Sequence, residues 1–266
     1  MGVSWDMSAQ ERTQLHRDGY VVREGVFDAV ECAATIAECE SLAQRLGVEK
    51  QRHKLRVGGY VIEFERDLGI VAKWEPDAPE LLMGLEPLAR ISAPLKALGS
   101  DPRLVDPCKA VVGQDDLDLF TEKLNFKRAR RGGAIWLHQD YPYWADVAAV
   151  ADKVATAMIF LDDATIEKGC LEVAPGSHRE GVRARKGASD FGSREMDPGV
   201  YDESRLIPLE VRAGAVAYFG AFLVHRSLPN RSAQDRRALL YSYQPAGHPH
   251  LSVLSGANEK RVLNAV

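Results

Sequence analysis

Trp136-Leu137-His138-Gln139-Asp140 is the stretch on which the reading of this chain turns. In an extended strand alternate side chains leave on the same side, so His138 and Asp140 project together while Leu137 and Gln139 face away. An imidazole beside a carboxylate supplies two legs of a metal site. Such a pair arises by chance in many chains, so the sequence around it must decide whether it is one.

Working outward, short strands separated by Gly, Pro and Asp turns begin at about Asp115. They are Leu117 to Phe126, Ala134 to Trp136 running into His138, Val154 to Leu161, Cys170 to Val173, Arg205 to Val211, Ala215 to Phe219 and Leu239 to Tyr243. Strands of this length and spacing predict a β-sandwich or barrel. Upstream the chain reads as helical. Ser8 and Glu11 form a capping box that opens a helix to about Asp18, Gly19 stops it, and Tyr20-Val21-Val22 is a short strand. Ala29 to Leu46 has a helical apolar face closed by Gly47. Arg56 to Asp67 reads as a hairpin around Gly58-Gly59, and Pro79 to Leu98 as two short helices broken by Pro87 and Pro94. The expectation is one domain over residues 1–266: a mainly helical buttress over 1–114, a β core over 115–245 and a tail over 246–266.

Composition bounds the function. The 266 residues carry 34 Lys+Arg against 38 Asp+Glu, so no overall positive field is available to grip nucleic acid. The longest apolar stretch, Gly214 to Val224, has about half the residues that a bilayer span needs. No basic and apolar leader opens the sequence, which predicts a soluble, cytoplasmic protein without a membrane partner. Cys32, Cys39, Cys108 and Cys170 lack metal-ribbon spacing and read as reduced, part-buried thiols.

The third leg of the site is sought on another strand. His225 follows Ala215 to Phe219 and precedes Arg226-Ser227, and two His with one carboxylate form the facial triad of non-haem iron(II) oxygenases. Arg236 lies 11 residues beyond His225. A 2-oxo dicarboxylate chelating such an iron needs a fixed cation at its far carboxylate, and the planar fork of Arg fits that task. Arg237 takes the opposite face and reads as a surface charge. His16, His53, His248 and His250 have no carboxylate at ligand spacing.

The run from Thr165-Ile166-Glu167-Lys168-Gly169-Cys170-Leu171 through Pro175-Gly176-Ser177-His178 completes the pattern. Together with Leu137 to Asp140, His225 and Arg236 it resembles the phytanoyl-CoA dioxygenase family of iron(II)- and 2-oxoglutarate-dependent oxygenases, from the opening helix through Tyr243. The resemblance implies a double-stranded β-helix (jelly-roll, cupin-like) barrel buttressed by the N-terminal helices. It implies that His138, Asp140 and His225 hold Fe(II), and that Arg236, Ser227 and Asn125 hold 2-oxoglutarate with Lys123 and Met158 beside it. O2 is the co-substrate, with ascorbate helpful in vitro. Tyr141, Tyr143 and Trp144 would wall the pocket of a small organic substrate. The implied reaction is hydroxylation, and desaturation, cyclisation or epimerisation remains open on the same triad. Related halogenases replace the carboxylate, so Asp140 speaks against halogenation. His178 is read as structural, and Lys127 to Arg131 as a solvated hairpin tip. Arg183 to Arg205, with Phe191, Met196 and Tyr201, is read as a lid. A metal-binding isomerase or non-catalytic barrel is the alternative, and the expected state is a monomer or homodimer.

Overall fold

The computed structural model describes residues 4–48, 55–57, 60–65, 68–183, 195–197 and 199–254. The chain opens with α1 (Ala9–Asp18), β1 (Tyr20–Arg23) and α2 (Ala29–Val48). Four strands follow, β2 (Leu55–Val57), β3 (Tyr60–Glu65), β4 (Ile70–Glu75) and β5 (Ala78–Glu86), then α3 (Ala93–Leu98) and α4 (Pro102–Val112). The rest consists of β6 (Leu117–Lys127), β7 (Ile135–His138), the single turn α5 (Tyr141–Trp144), β8 (Ala155–Phe160), β9 (Leu171–Val173), β10 (Ile207–Leu209), β11 (Val216–Gly220), β12 (His225–Ser227) and β13 (Arg236–Pro245).

Nine strands form one sheet in the order β1-β11-β8-β13-β6-β5-β4-β3-β2, and four form a second in the order β10-β9-β12-β7. This is the jelly-roll arrangement, mostly β with a few helices. The expected barrel is not closed, however. The two sheets share no hydrogen-bonded ladder among the described residues and meet through side chains alone.

Period-two alternation decides what each face of the large sheet meets. From β13, Leu239, Tyr241 and Tyr243 point to one side; from β8, Ala155, Ala157 and Ile159 do the same. They pack with Cys39 and Leu42 of α2, Leu95 of α3, and Leu104 and Cys108 of α4 in one apolar cluster. Met158, Phe160, Ala217, Phe219 and Ala238 point the other way and pack on Leu171, Val173 and Leu209 of the small sheet. The molecule therefore has three layers: helices, large sheet, small sheet. All four cysteines are buried and free.

Two features of the N-terminal third differ from the sequence reading. Pro79 to Leu98 does not form two helices: Ala78–Glu86 is a strand inserted between β4 and β6, and only Ala93–Leu98 is helical. The reason is that Leu82, Met83 and Leu85 are all buried, and a strand covered on both faces loses the alternation that would mark it. The mainly helical buttress over 1–114 is thus corrected to helices plus a four-stranded extension of the large sheet. Gly47 lies within α2 without a positive φ and does not cap it. The tip at Gly58-Gly59 and His53 lie outside the described residues.

The Pro175-Gly176-Ser177-His178 turn is a clamp. Gly176 N–H donates to Asp18 at the end of α1 (2.8 Å), and the Ser177 hydroxyl accepts from Val224 N–H (2.9 Å). His178 covers Gly19, whose φ is +86° and whose missing Cβ would sit 2.3 Å from the imidazole. A side chain cannot occupy that position.

At the other end of α1, Glu11 closes the capping box with Ser8 and also receives Arg23 of β1 (Nε to Oε1, 2.7 Å). The Arg23 hydrogen bonds pull the Glu11 carboxyl down to about 2. Because the folded value lies below the unfolded one, this contribution is present above pH 4.5 and disappears as pH falls toward 2. Glu11→Gln is expected to cost about 1–2 kcal/mol at pH 7, after allowance for partial exposure. Urea unfolding of both proteins at pH 7 and near pH 3 should show the difference shrinking with acid.

Candidate metal centre

β12 runs antiparallel between β7 and β9, and its register sets His225 opposite His138. The two imidazole centroids are 4.1 Å apart, and His138 Nε2 is 3.7 Å from Asp140 Oδ1. One ligand atom from each of His138, Asp140 and His225 falls within 4.8 Å of the others. They form the one such group among the described residues.

The local hydrogen bonds prepare these groups for a cation. His138 Nδ1 lies 2.7 Å from the Trp136 carbonyl, and His225 Nδ1 lies 2.9 Å from that of Leu223. A carbonyl only accepts, so each Nδ1 carries the proton and each Nε2 presents its lone pair. Burial, seconded by His138, lowers the His225 imidazole to about 4, which keeps it neutral. For Asp140, burial raises the carboxyl, but the adjacent His138 and His225 rings and the Lys123 ammonium outweigh it and the net shift is downward. Two imidazoles, that of His225 kept neutral, and a carboxylate shifted toward its ionised form, gathered on one face, fit a divalent iron.

Gln139, between two of these residues, faces the rear. Its amide donates to the carbonyls of Gly181 (3.0 Å) and Phe222 (2.7 Å), and its oxygen accepts from Arg183 N–H (2.9 Å). Met196 N–H donates to the Leu137 carbonyl (2.7 Å). Met196 and Tyr201 are buried against Leu137 and Val224. Residues 184–194, including Phe191 of the expected lid, lie outside the described part.

Between the sheets Arg236 is 2% exposed. Its Nη2 donates to the Gly169 carbonyl (2.6 Å), while the buried Nε has no partner. Burial pulls this guanidinium down to about 10, so it is charged at neutral pH and short of acceptors. An orphaned donor on a buried cation suits the distal carboxylate of a dicarboxylic acid. Lys127 stands opposite Arg236 in the β6–β13 ladder and gives its three donors to the carbonyls of Gly133 (2.6 Å), Ser227 (3.2 Å) and Leu228 (2.7 Å). Burial first, and Arg236 second, depress its ammonium well below the usual lysine range.

The basic run is therefore not a solvated tip at its start. Lys127 is buried, and Arg128 stacks over Phe126 (4.0 Å) while pairing with Glu40 and Asp235. Only Arg130 and Arg131 face solvent. The signal was present in the alternation Lys123-Asn125-Lys127, which puts Lys127 on the face of its two predecessors. Arg237, on the opposite face from Arg236, is bound by Asp162 and Glu40 and is not a loose surface charge.

The remaining predicted residues divide. Ser227 is buried two positions from His225, and Asn125 sits opposite Ala238 on the inner face of β6. Met158 packs in the apolar cluster between the sheets. Lys123 is engaged by Glu86 at 3.3 Å. Tyr143 meets His138 edge-on at 5.6 Å, and Tyr141 stacks on Phe222 at 4.6 Å. Trp144 is 8% exposed and packed edge-on against Phe120, in an apolar cluster on which Tyr141 and Tyr143 also pack. His178 and His250 stand apart from the triad; His250 instead pairs with buried Glu122 at 2.8 Å.

Two imidazoles and a carboxylate on one face of a jelly roll constitute the donor set of a non-haem iron oxygenase. The family model for phytanoyl-CoA dioxygenase (PhyH) matches residues 15–238, and the chain belongs to this family of Fe(II)- and 2-oxoglutarate-dependent oxygenases. It is 33% identical over 273 residues to phytanoyl-CoA dioxygenase domain-containing protein 1 of Danio rerio, covering 89% of this chain and 90% of the relative. It is also 33% identical to L-proline trans-4-hydroxylase of Streptomyces griseoviridis, with 71% and 76% covered. A match to dioxygenase lolE1 of Epichloe uncinata, at 28% identity, takes in 61% of this chain and 59% of that protein. Among solved structures, EctD from S. alaskensis with 2-oxoglutarate and 5-hydroxyectoine superposes with a TM-score of 0.69 at 21% identity, covering 90% and 76%. No helix among the described residues is long and apolar enough to cross a membrane.

Gly169 supplies the carbonyl that orients Arg236, at φ +67°, and a Cβ there would lie 2.1 Å from the Leu228 carbonyl oxygen. Gly169→Ala is expected to destabilise by about 2–4 kcal/mol through left-handed strain plus overlap. A thermal melt against wild type measures it, and unchanged stability would contradict the close approach.

Proposed function

We propose that this protein hydroxylates an unactivated carbon of a small organic molecule, with 2-oxoglutarate consumed to succinate and CO2. Iron and 2-oxoglutarate, when bound, supply the oxidising chemistry; the chain supplies position, charge and exclusion of water. His138 and His225 would hold the iron through Nε2 and Asp140 through a carboxylate oxygen, and with three protein ligands the metal could also take the co-substrate and O2. Arg236 takes the distal carboxylate through Nε and the free edge of its guanidinium, while Ser227 and Asn125 provide polar contacts and Met158 an apolar one. Lys127, its donors spent on carbonyls, holds the strand ends around Arg236 in place. Tyr143 borders the space over His138 where a substrate carbon would lie, and Tyr141 supports that wall. The observation that carries this reading is the buried, under-satisfied Arg236 near a His-Asp-His set whose nitrogens are already oriented.

The test is anaerobic addition of Fe(II) and 2-oxoglutarate, watched through the weak visible charge-transfer band of the chelate. His225→Ala is expected to abolish the band. Arg236→Met is expected to raise the 2-oxoglutarate dissociation constant roughly 30-fold or more, since a buried charged contact is lost. Folded wild-type protein that gives no band would refute the assignment.

A further inference from the structure

Beside the metal centre, β4, β5 and β6 carry a second set of charged side chains on the inner face of the large sheet, apart from Arg236 and Lys127. Lys73 of β4 stands opposite Gly84 of β5, and Gly84 stands opposite Asn125 of β6. Two residues along, on the same face, Glu86 reaches Lys123: their charged atoms are 3.3 Å apart. The Thr121 hydroxyl donates to the other Glu86 oxygen (2.8 Å). These side chains act on one another and on the triad. Burial alone would raise the Glu86 carboxyl, yet Lys123 and Lys73 pull it below the ordinary range. Burial and Lys123 together push Lys73 down to about 8, and Lys123 in turn feels both Glu86 and Asp140. The Lys123 and Glu86 side chains nevertheless remain 31% and 23% exposed, so a ligand can reach them. Gly84 keeps space between Lys73 and Asn125, because a Cβ there would come within 3.4 Å of Asn125 Oδ1 and 3.9 Å of Lys73 Cβ.

We propose that Lys73, Glu86 and Lys123 form the head-group site for a zwitterionic substrate, a small amino or imino acid. Glu86 takes its ammonium group and the two lysines its carboxylate. This deepens the hydroxylase reading above and rests on it. The mixed signs make the choice. A purely anionic ligand would meet the Glu86 carboxylate. A neutral apolar ligand would strip water from charged groups and return nothing. A zwitterion answers both signs, so the Glu86–Lys123 pair opens into a ring of alternating charges rather than two bare ones. With the head group held there, the carbon skeleton extends across the triad toward Tyr143.

The experiment uses the full chain loaded anaerobically with Fe(II) and 2-oxoglutarate. Individual proteinogenic amino acids, their N-acetyl and methyl ester derivatives, octanoyl-CoA and octanol are then titrated. The readouts are perturbation of the charge-transfer band and the shift in melting temperature, so neither depends on turnover. The expected result is that at least one amino acid perturbs the band, with its N-acetyl derivative bound roughly 30-fold more weakly or worse. Glu86→Gln should show the same loss for the parent amino acid while its 2-oxoglutarate titration matches wild type. If that variant does not fold, the derivatives on wild type carry the test alone. A wild-type band that no amino acid perturbs overturns the head-group site and leaves the iron chemistry standing, as does an N-acetyl derivative that binds like its parent. Absence of the band itself removes both readings.

Discussion

The pairing of β12 with β7 is the constraint on which the site depends. It places His225 directly across from His138, and from that single register the two Nε2 lone pairs converge beside Asp140. Sheet register is discrete: a shift by one residue would turn His225 to the other face and present Arg226 instead. The same short strand is hydrogen-bonded to β9 on its other edge, so His225 is fixed from both sides. The clamp at Ser177, holding Val224 N–H one residue before His225, then fixes where β12 begins.

Burying Arg236 and Lys127 opposite each other is costly, and how the fold bears the cost shows what the space is for. Lys127 is satisfied wholly by carbonyls, which solvate its charge without cancelling it. Arg236 is satisfied only in part. Glu75 is the carboxylate acting on Lys127, and it also accepts from Gly133 N–H. The result is a buried guanidinium that keeps an unmet donor between the sheets, held by a carbonyl on one side and faced by Lys127 across the ladder. A neutral pair of residues would pack more cheaply and attract nothing.

Much of this was legible in the sequence. The capping box at Ser8 and Glu11, the stop at Gly19 and most core strands follow from local chemistry that tertiary packing does not override. The His138-x-Asp140 spacing and the position of His225 were enough to name the three clustered residues, although Asp140 lies past the end of β7 in helical backbone at the start of α5 rather than on an extended strand. What escaped detection has a common cause. The β5 strand is covered on both faces by distant parts of the chain and carries no mark of its cover, whereas Lys127 was marked only by its place in the Lys123-Asn125-Lys127 alternation. The packing of Trp144 was hidden in the same way: the sequence placed it beside Asp140 but could not reveal that Phe120, on another strand, would meet its ring.

The ladder joining β5 to β6 comprises only two residue pairs, Gly84 with Asn125 and Leu85 with Leu124. On one side of that seam lie the strands β2 to β5; on the other lie the triad, Arg236 and the sheet that holds them. The wall these strands form thus joins the rest of the large sheet along a short hydrogen-bonded edge, while its side chains share the common core, and it supplies none of the three clustered ligands. Over evolutionary time such a wall can be recut for new molecules while the register that gathers the iron ligands stays untouched. One fold can in this way serve many substrates.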